Sequence, residues 1–253
     1  MKAVLVLLLP CIATAADDAP RTGEFALGYT LTEIAGPDAA RAVAGVVESD
    51  EPLSWELYVP PAYDPADPPG VVVYISPTSS GEIPPGWREI LDAKNLVWIG
   101  ASDAGNRVFS GRRAVLALLA PRVVARHYAV DAERFYVTGL SGGGKMAGRV
   151  AADYPGVFRG AIYNCGIDPL DRHPPRDLDE FRKNRFVFVT GTWDQAEEPT
   201  RKAFRNYLDH GVDGSLLMVI PKMTHRNPDS HDFAAALEFL DGRLAAARAE
   251  LTR

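Results

Sequence analysis

The chain has little cysteine: two residues in 253, Cys11 and Cys165. Cys11 falls in a stretch that reads as a cleavable leader. Its removal leaves Cys165 alone and excludes an intramolecular disulfide. Cys165 closes the apolar run Gly160 to Cys165 and is expected in the core. A membrane-length hydrophobic run is missing from the N-terminus as well. Ala3 to Leu9 is apolar but too short to span a bilayer. Excess positive charge is also missing. The net charge is −6 with both signs scattered, which gives no nucleic-acid surface. Internal repeats and low-complexity linkers are absent from the sequence, so residues 17–253 read as a single domain, large enough for a sizeable core.

The first residues have a different character. Met1-Lys2 forms a minimal positive region, the apolar run follows, and Ala13-Thr14-Ala15 has the A-x-A form of a cleavage site. Residues 1–16 are therefore expected to be a secretory signal peptide. That implies a secreted or periplasmic protein with no stable membrane anchor after cleavage. Pro10, where a lipoprotein needs a small residue before Cys11, argues against lipidation.

Hydrophobic patterning divides the remainder in two. Phe25 to Ile34, Val43 to Val47 and Leu53 to Val59 alternate apolar with polar residues, as antiparallel strands with one wet face do. From residue 71 the apolar runs become continuous: Val71 to Ile75, Leu96 to Ala101, Phe135 to Thr138, Gly160 to Cys165, Phe186 to Thr190 and Ser215 to Ile220. Helical segments separate them at 112–128, 144–153, 199–210 and 230–250. Pro121 is expected to kink or divide the first of these. The alternation predicts an α/β fold, a mostly parallel central sheet flanked by helices, with antiparallel strands at the N-terminal edge. The proline-rich excursion from Ile167 to Asn184 reads equally as a small cap or as a surface loop with one short helix.

One stretch carries chemistry. Thr138-Gly139-Leu140-Ser141-Gly142-Gly143-Gly144 follows a predicted strand and opens a predicted helix. A G-x-S-x-G in that setting is a nucleophile elbow, whose turn is so tight that a Cβ at 139 or 143 would clash. Ser141 is then exposed at a helix N-terminus, where the Gly142 N–H can meet a developing oxyanion. A serine hydroxyl needs a base, and the base an orienting carboxylate, in chain order Ser, acid, His. Asp194, in the loop after the strand at 186–190, is the acid candidate; Glu197, Glu198 and Asp168 are alternatives. His225, after the last strand, is the base candidate, with His231 as alternative. A second oxyanion donor is expected from the loop 76–81, at Thr78 or next at Ser79, because Pro77 has no N–H. Trp87, Asn106, Arg107 and Trp193 are candidate pocket residues. Trp193, beside Asp194, is the best placed for substrate binding, whereas Trp87 fits a core position equally well.

The stretch Asp131-x-x-Arg134-x-Tyr136-x-x-Gly139-x-Ser141-x-Gly143-Gly144-x-Met146, with Tyr154-Pro155 and Phe158 after it, resembles the α/β-hydrolase superfamily. Within it, the string is similar to a secreted esterase group of polyhydroxybutyrate-depolymerase-like and feruloyl-esterase-like proteins. The resemblance covers roughly 71–240. It implies an ester hydrolase with Ser141 as nucleophile, Asp194 as acid and His225 as base, acting on a small or polymeric ester without metal or cofactor. Two departures stand out. Ser76-Pro77 replaces the family's His-Gly before the oxyanion loop, and Gln195-Ala196-Glu197-Glu198 replaces a Val-Pro-type turn after the acid. Rival expectations are a peptidase on the same triad and a non-catalytic binding protein on the same scaffold.

Overall fold

The computed structural model describes residues 20–242 and 250–252; the expected leader, 1–16, lies outside them. Strands β1 (Gly23–Tyr29) and β2 (Leu53–Val59) pair antiparallel at one edge, and β2 is antiparallel to β4 (Leu96–Ala101). From β4 the sheet is parallel through β3 (Gly70–Ile75), β5 (Phe135–Leu140), β6 (Gly160–Asn164), β7 (Arg185–Gly191), β8 (Ser215–Ile220) and the short β9 (Glu250–Thr252). The expected mixed sheet with an antiparallel N-terminal edge is therefore observed.

The continuous apolar runs follow from burial on both faces. Along β3, Val71, Val73 and Ile75 point into one core, and Val72 and Tyr74 into the other. The first core is covered by α4 (Ser110–Ala125), α5 (Gly142–Asp153) and α7 (Glu197–Asp209); the second by α3 (Arg88–Ala93) and α8 (Ser230–Leu240). A two-residue period with apolar side chains on both faces leaves no polar positions to alternate. The chain leaves β3 for β4 on one side and returns to β5 on the other. Strand order reverses beside β3, so the loops after β3 and β5 diverge and open a crevice at their C-terminal ends. Ser141 follows β5 directly.

The N-terminal expectations need correction. Ile34 is not in a strand: β1 stops at Tyr29, and α1 (Leu31–Ala35) and α2 (Pro37–Ala42) follow. Thr30 and Glu33 form a capping box, with Thr30 Oγ1 accepting from the Glu33 N–H at 3.2 Å and the Glu33 carboxylate accepting from the Thr30 N–H at 2.6 Å. This T-x-x-E signal outweighs the short alternation around it. Val43 to Val47 is turn rather than strand, closed by bonds such as Val46 N–H to Val43 O at 3.0 Å. Pro121 does not divide α4, which runs through it as one helix. Burial of Leu116, Leu119, Ala120, Val123 and Val124 along the same helix outweighs the roughly 3 kcal/mol that an interior proline costs. The last helix ends at Leu240 rather than near 250, and 250–252 is strand. The excursion after β6 holds one four-residue helix, α6 (Leu178–Phe181).

The capping box gives a pH test. Bonds from the Thr30 N–H, then from its hydroxyl, hold the Glu33 carboxyl below its usual range. A depressed folded-state pKa contributes stability above the unfolded value and loses it as pH falls through the folded one. Thr30→Ala is expected to lower the urea midpoint at neutral pH with an unchanged m value. That difference from wild type should shrink as pH falls through the carboxylate range, which equilibrium unfolding at several pH values will show.

Candidate active site

Ser141 sits between β5 and α5 with φ +57° and ψ −118°, a backbone conformation that a residue with a Cβ rarely adopts. Its surroundings enforce the turn. The Ser141 N–H donates to Asn164 O at 2.8 Å, and the Lys145 N–H donates to Ser141 O at 3.1 Å. On either side the chain presses against the end of β3. A Cβ on Gly143 would lie 1.8 Å from Ile75 O, and one on Gly139 would lie 2.5 Å from the same oxygen. Only glycine fits there, as the motif anticipates.

Two loops bring the partners to this edge. After β7, the chain turns so that the Asp194 N–H donates to Gly191 O at 3.0 Å. After β8, the 221–229 loop carries His225. The loops are tied together: the Trp193 N–H donates to Met223 O at 3.2 Å, and the Lys222 N–H to Thr192 Oγ1 at 2.8 Å. His225 Nδ1 lies 2.9 Å from Asp194 Oδ1, which also accepts from the Ala196 N–H at 2.9 Å. With Nδ1–H directed at the carboxylate, Nε2 becomes the basic nitrogen. The Asp194 side chain is fully buried and His225 is part-exposed. Burial tends to raise the Asp194 pKa, but contact with the Cys165 thiol and bonds from Ala196 and His225 outweigh it and hold the carboxyl below its usual range.

Residues to which sequence reasoning gave no loop-bracing role fix the histidine loop. Asn164, buried at the end of β6, donates from Nδ2 to Asn227 Oδ1 at 3.2 Å, and Asn227 Nδ2 donates to the Tyr74 hydroxyl at 3.4 Å. The Cys165 thiol donates to Arg226 O at 3.3 Å. Trp87 Nε1 donates to Pro228 O at 3.0 Å, and its ring stacks on Phe233 with centroids 3.6 Å apart. Trp87 is thus core, the alternative its sequence position allowed, and it braces the loop rather than meeting substrate. Cys165 is buried as expected. A buried asparagine directly before it was the one readable sign of this network.

Ser141 and His225 line one open cleft of about 520 Å³, together with Lys145, Asp168, Arg172 and Lys202. The other acid and base candidates are engaged with other partners or face another cavity, although Asp168 and Glu198 also line this cleft. Glu197 pairs with Arg201 at 3.0 Å and Glu198 with Arg205 at 2.9 Å. Asp168 is held by Arg149 at 3.1 Å. His231 lines a separate cavity of about 200 Å³ by the start of α8. Trp193, 66% exposed, is absent from the cleft lining. The Thr78 N–H donates to Ser76 Oγ at 3.1 Å, closing a local turn. Gly142 opens α5, two residues before the expected helix start, and the side-chain amide of Asn106 borders it: a Cβ on Gly142 would lie 2.2 Å from Asn106 Oδ1. Cys165, Asp194 and His225 place ligand-type atoms within 4.8 Å of one another. Burial, then the neighbouring Asp194 carboxylate, push the thiol well above its usual range, so it stays protonated at neutral pH.

No protein-family model matches the chain, and no curated protein matches it. Solved structures do. A ferulic acid esterase superposes with a TM-score of 0.59 at 12% identity, over 85% of this chain and 95% of its own. An esterase from Thermogutta terrifontis superposes with a TM-score of 0.55 at 18% identity, over 81% of this chain and 93% of its own. Porphyromonas gingivalis dipeptidyl peptidase 4 superposes with a TM-score of 0.57 at 17% identity, over 77% of this chain. The chain spans nearly the whole of the two esterases but 34% of that peptidase. With the strand order and the serine turn, these likenesses show an α/β-hydrolase fold.

The elbow gives a direct test. Gly143→Ala is expected to cost about 4 kcal/mol or more, because backbone oxygen blocks the new methyl group. Gly156→Ala, where a Cβ meets nothing within 4 Å, is the control and should unfold close to wild type in the same denaturant titration.

Proposed function

We propose that this protein is a serine hydrolase that cleaves carboxylic esters through Ser141, His225 and Asp194. The observation that carries the reading is the pairing of buried Asp194 with part-exposed His225 at 2.9 Å, with His225 on the cleft that also holds the positive-φ serine. In this reading His225 Nε2 takes the Ser141 proton as Oγ attacks the ester carbonyl. The Gly142 N–H, at the positive end of α5, binds the oxyanion. The Asn106 amide, which borders Gly142, acts as second donor in place of Thr78. Collapse of the tetrahedral intermediate expels the alcohol, which leaves with the proton held by His225. Water then attacks the acyl-enzyme by the same route and releases the acid. The paired carboxylate keeps the imidazole in the tautomer this requires and stabilises the imidazolium as it forms. The N-terminal leader supports export as the setting for this activity.

Purified wild type is expected to hydrolyse p-nitrophenyl esters, and Ser141→Ala to lose on the order of 10⁴–10⁶ in kcat. A mutant that keeps a tenth of wild-type turnover contradicts the assignment. Asn106→Ala is expected to lower kcat on the order of 10²-fold with KM nearly unchanged. Unchanged kcat in Asn106→Ala returns the second-donor role to the 76–81 loop.

A further inference from the structure

The charge around Ser141 runs against the charge of the chain. The protein carries a net −6, yet the cleft lining holds three cations, Lys145, Arg172 and Lys202, against two carboxylates, Asp168 and Glu198. Each carboxylate is bound by an arginine that stands outside the lining: Asp168 by Arg149 at 3.1 Å, Glu198 by Arg205 at 2.9 Å. Lys145 and Arg172 also approach Asp168, at 3.6 and 3.4 Å. One carboxylate, with 7% of its side chain exposed, is thus surrounded by three cations, while Lys145 and Arg172 remain 49% and 71% exposed. The anion is the buried member and the cations face the space that a substrate enters. A buried carboxylate that gathers more cations than it neutralises fixes positive charge at that wall and presents it to solvent.

Resting on the ester-hydrolase reading, we infer that this wall is a subsite for a negatively charged group, and that the favoured substrate is an ester carrying a carboxylate on its acyl or its alcohol part. Arg172 suits such a group, since its planar fork can bind a carboxylate through two N–H donors. Lys145 stands in the first turn of α5, four residues from the nucleophile, and Lys202 projects from α7 on the acid side of the cleft. The three bracket the side of the cleft formed by the loops after β6 and β7. The cations act on binding and orientation and take no part in bond making.

The test compares matched esters in the full chain. On the acyl side the pair is p-nitrophenyl hemiadipate and p-nitrophenyl hexanoate; on the alcohol side it is p-butyryloxybenzoate and p-butyryloxybenzamide. At low ionic strength, kcat/KM is expected to favour the anionic member of at least one pair by about fivefold or more, in keeping with one or two partly exposed charge contacts. Added salt should erode that preference and leave the neutral member nearly unaffected. Arg172→Glu and Lys202→Glu should each cut or reverse the anionic-to-neutral ratio, a readout independent of how much of a variant is folded. Which pair shows the preference assigns the charge to the acyl or the alcohol side. Hydrolysis of the neutral esters with no anionic preference in either pair overturns the subsite alone. So does a preference that both reversals leave intact. Hydrolysis of none of the four esters overturns the ester-hydrolase reading and the subsite together.

Discussion

A serine can occupy the turn between β5 and α5 only where the backbone of β3 leaves room for it, and here that backbone admits no side chain on the glycines two positions to either side. Ile75 O stands where a side chain on either Gly139 or Gly143 would begin. That contact sets the distance between the third strand, the fifth strand and the helix that follows, and so the direction in which Ser141 leaves the sheet. The left-handed φ of Ser141 costs on the order of 1–3 kcal/mol, which parallel pairing on both sides of β5 and the packed face of α5 offset. Strain at one residue is tolerable because most of the sheet is buried from both sides.

The remaining pieces depend on polar contacts that are buried or part-buried. Asp194 is a buried charge, and an isolated one in such a place shifts its pKa and neutralises. Here it keeps its charge because the Ala196 N–H, His225 and the Cys165 thiol face it. The histidine loop is irregular, so it has no strand or helix to satisfy its backbone. Its carbonyls go instead to Cys165 and Trp87, and its Asn227 bridges Asn164 and Tyr74. Each bond contributes about 1 kcal/mol, but a buried group left unpaired costs about 1–3 kcal/mol, so the network holds one loop conformation rather than several.

The sequence carried the parallel core and the candidate triad legibly, for a physical reason. Strands buried on both faces must be apolar throughout, and an elbow must have glycine where backbone passes backbone. Both demands are local. The antiparallel edge was harder. Short alternation around Ile34 imitated a strand, while the capping pair Thr30 and Glu33 stood in plain view. The choice of Thr78 counted available N–H groups and left out Ser76, whose hydroxyl accepts from that N–H two residues away. The contact of Asn106, a candidate pocket residue, with Gly142 and the loop-bracing role of Trp87 were out of reach for a different reason. Asn106 lies 36 positions before Gly142, and Trp87 lies 141 before Pro228, and no spacing rule links such pairs. The cationic wall was hidden likewise, since its members come from three separate elements.

The central claim is that Ser141 is a nucleophile activated by His225 under the control of Asp194. Covalent labelling reads this without knowledge of the natural substrate. The native protein would be treated with a fluorophosphonate and digested, and the modified peptide located by mass spectrometry, alongside His225→Ala and Asp194→Asn. The account predicts one adduct per chain, on Ser141, formed far more slowly in both variants. Labelling at another residue, or equal labelling rates in all three proteins, would contradict it.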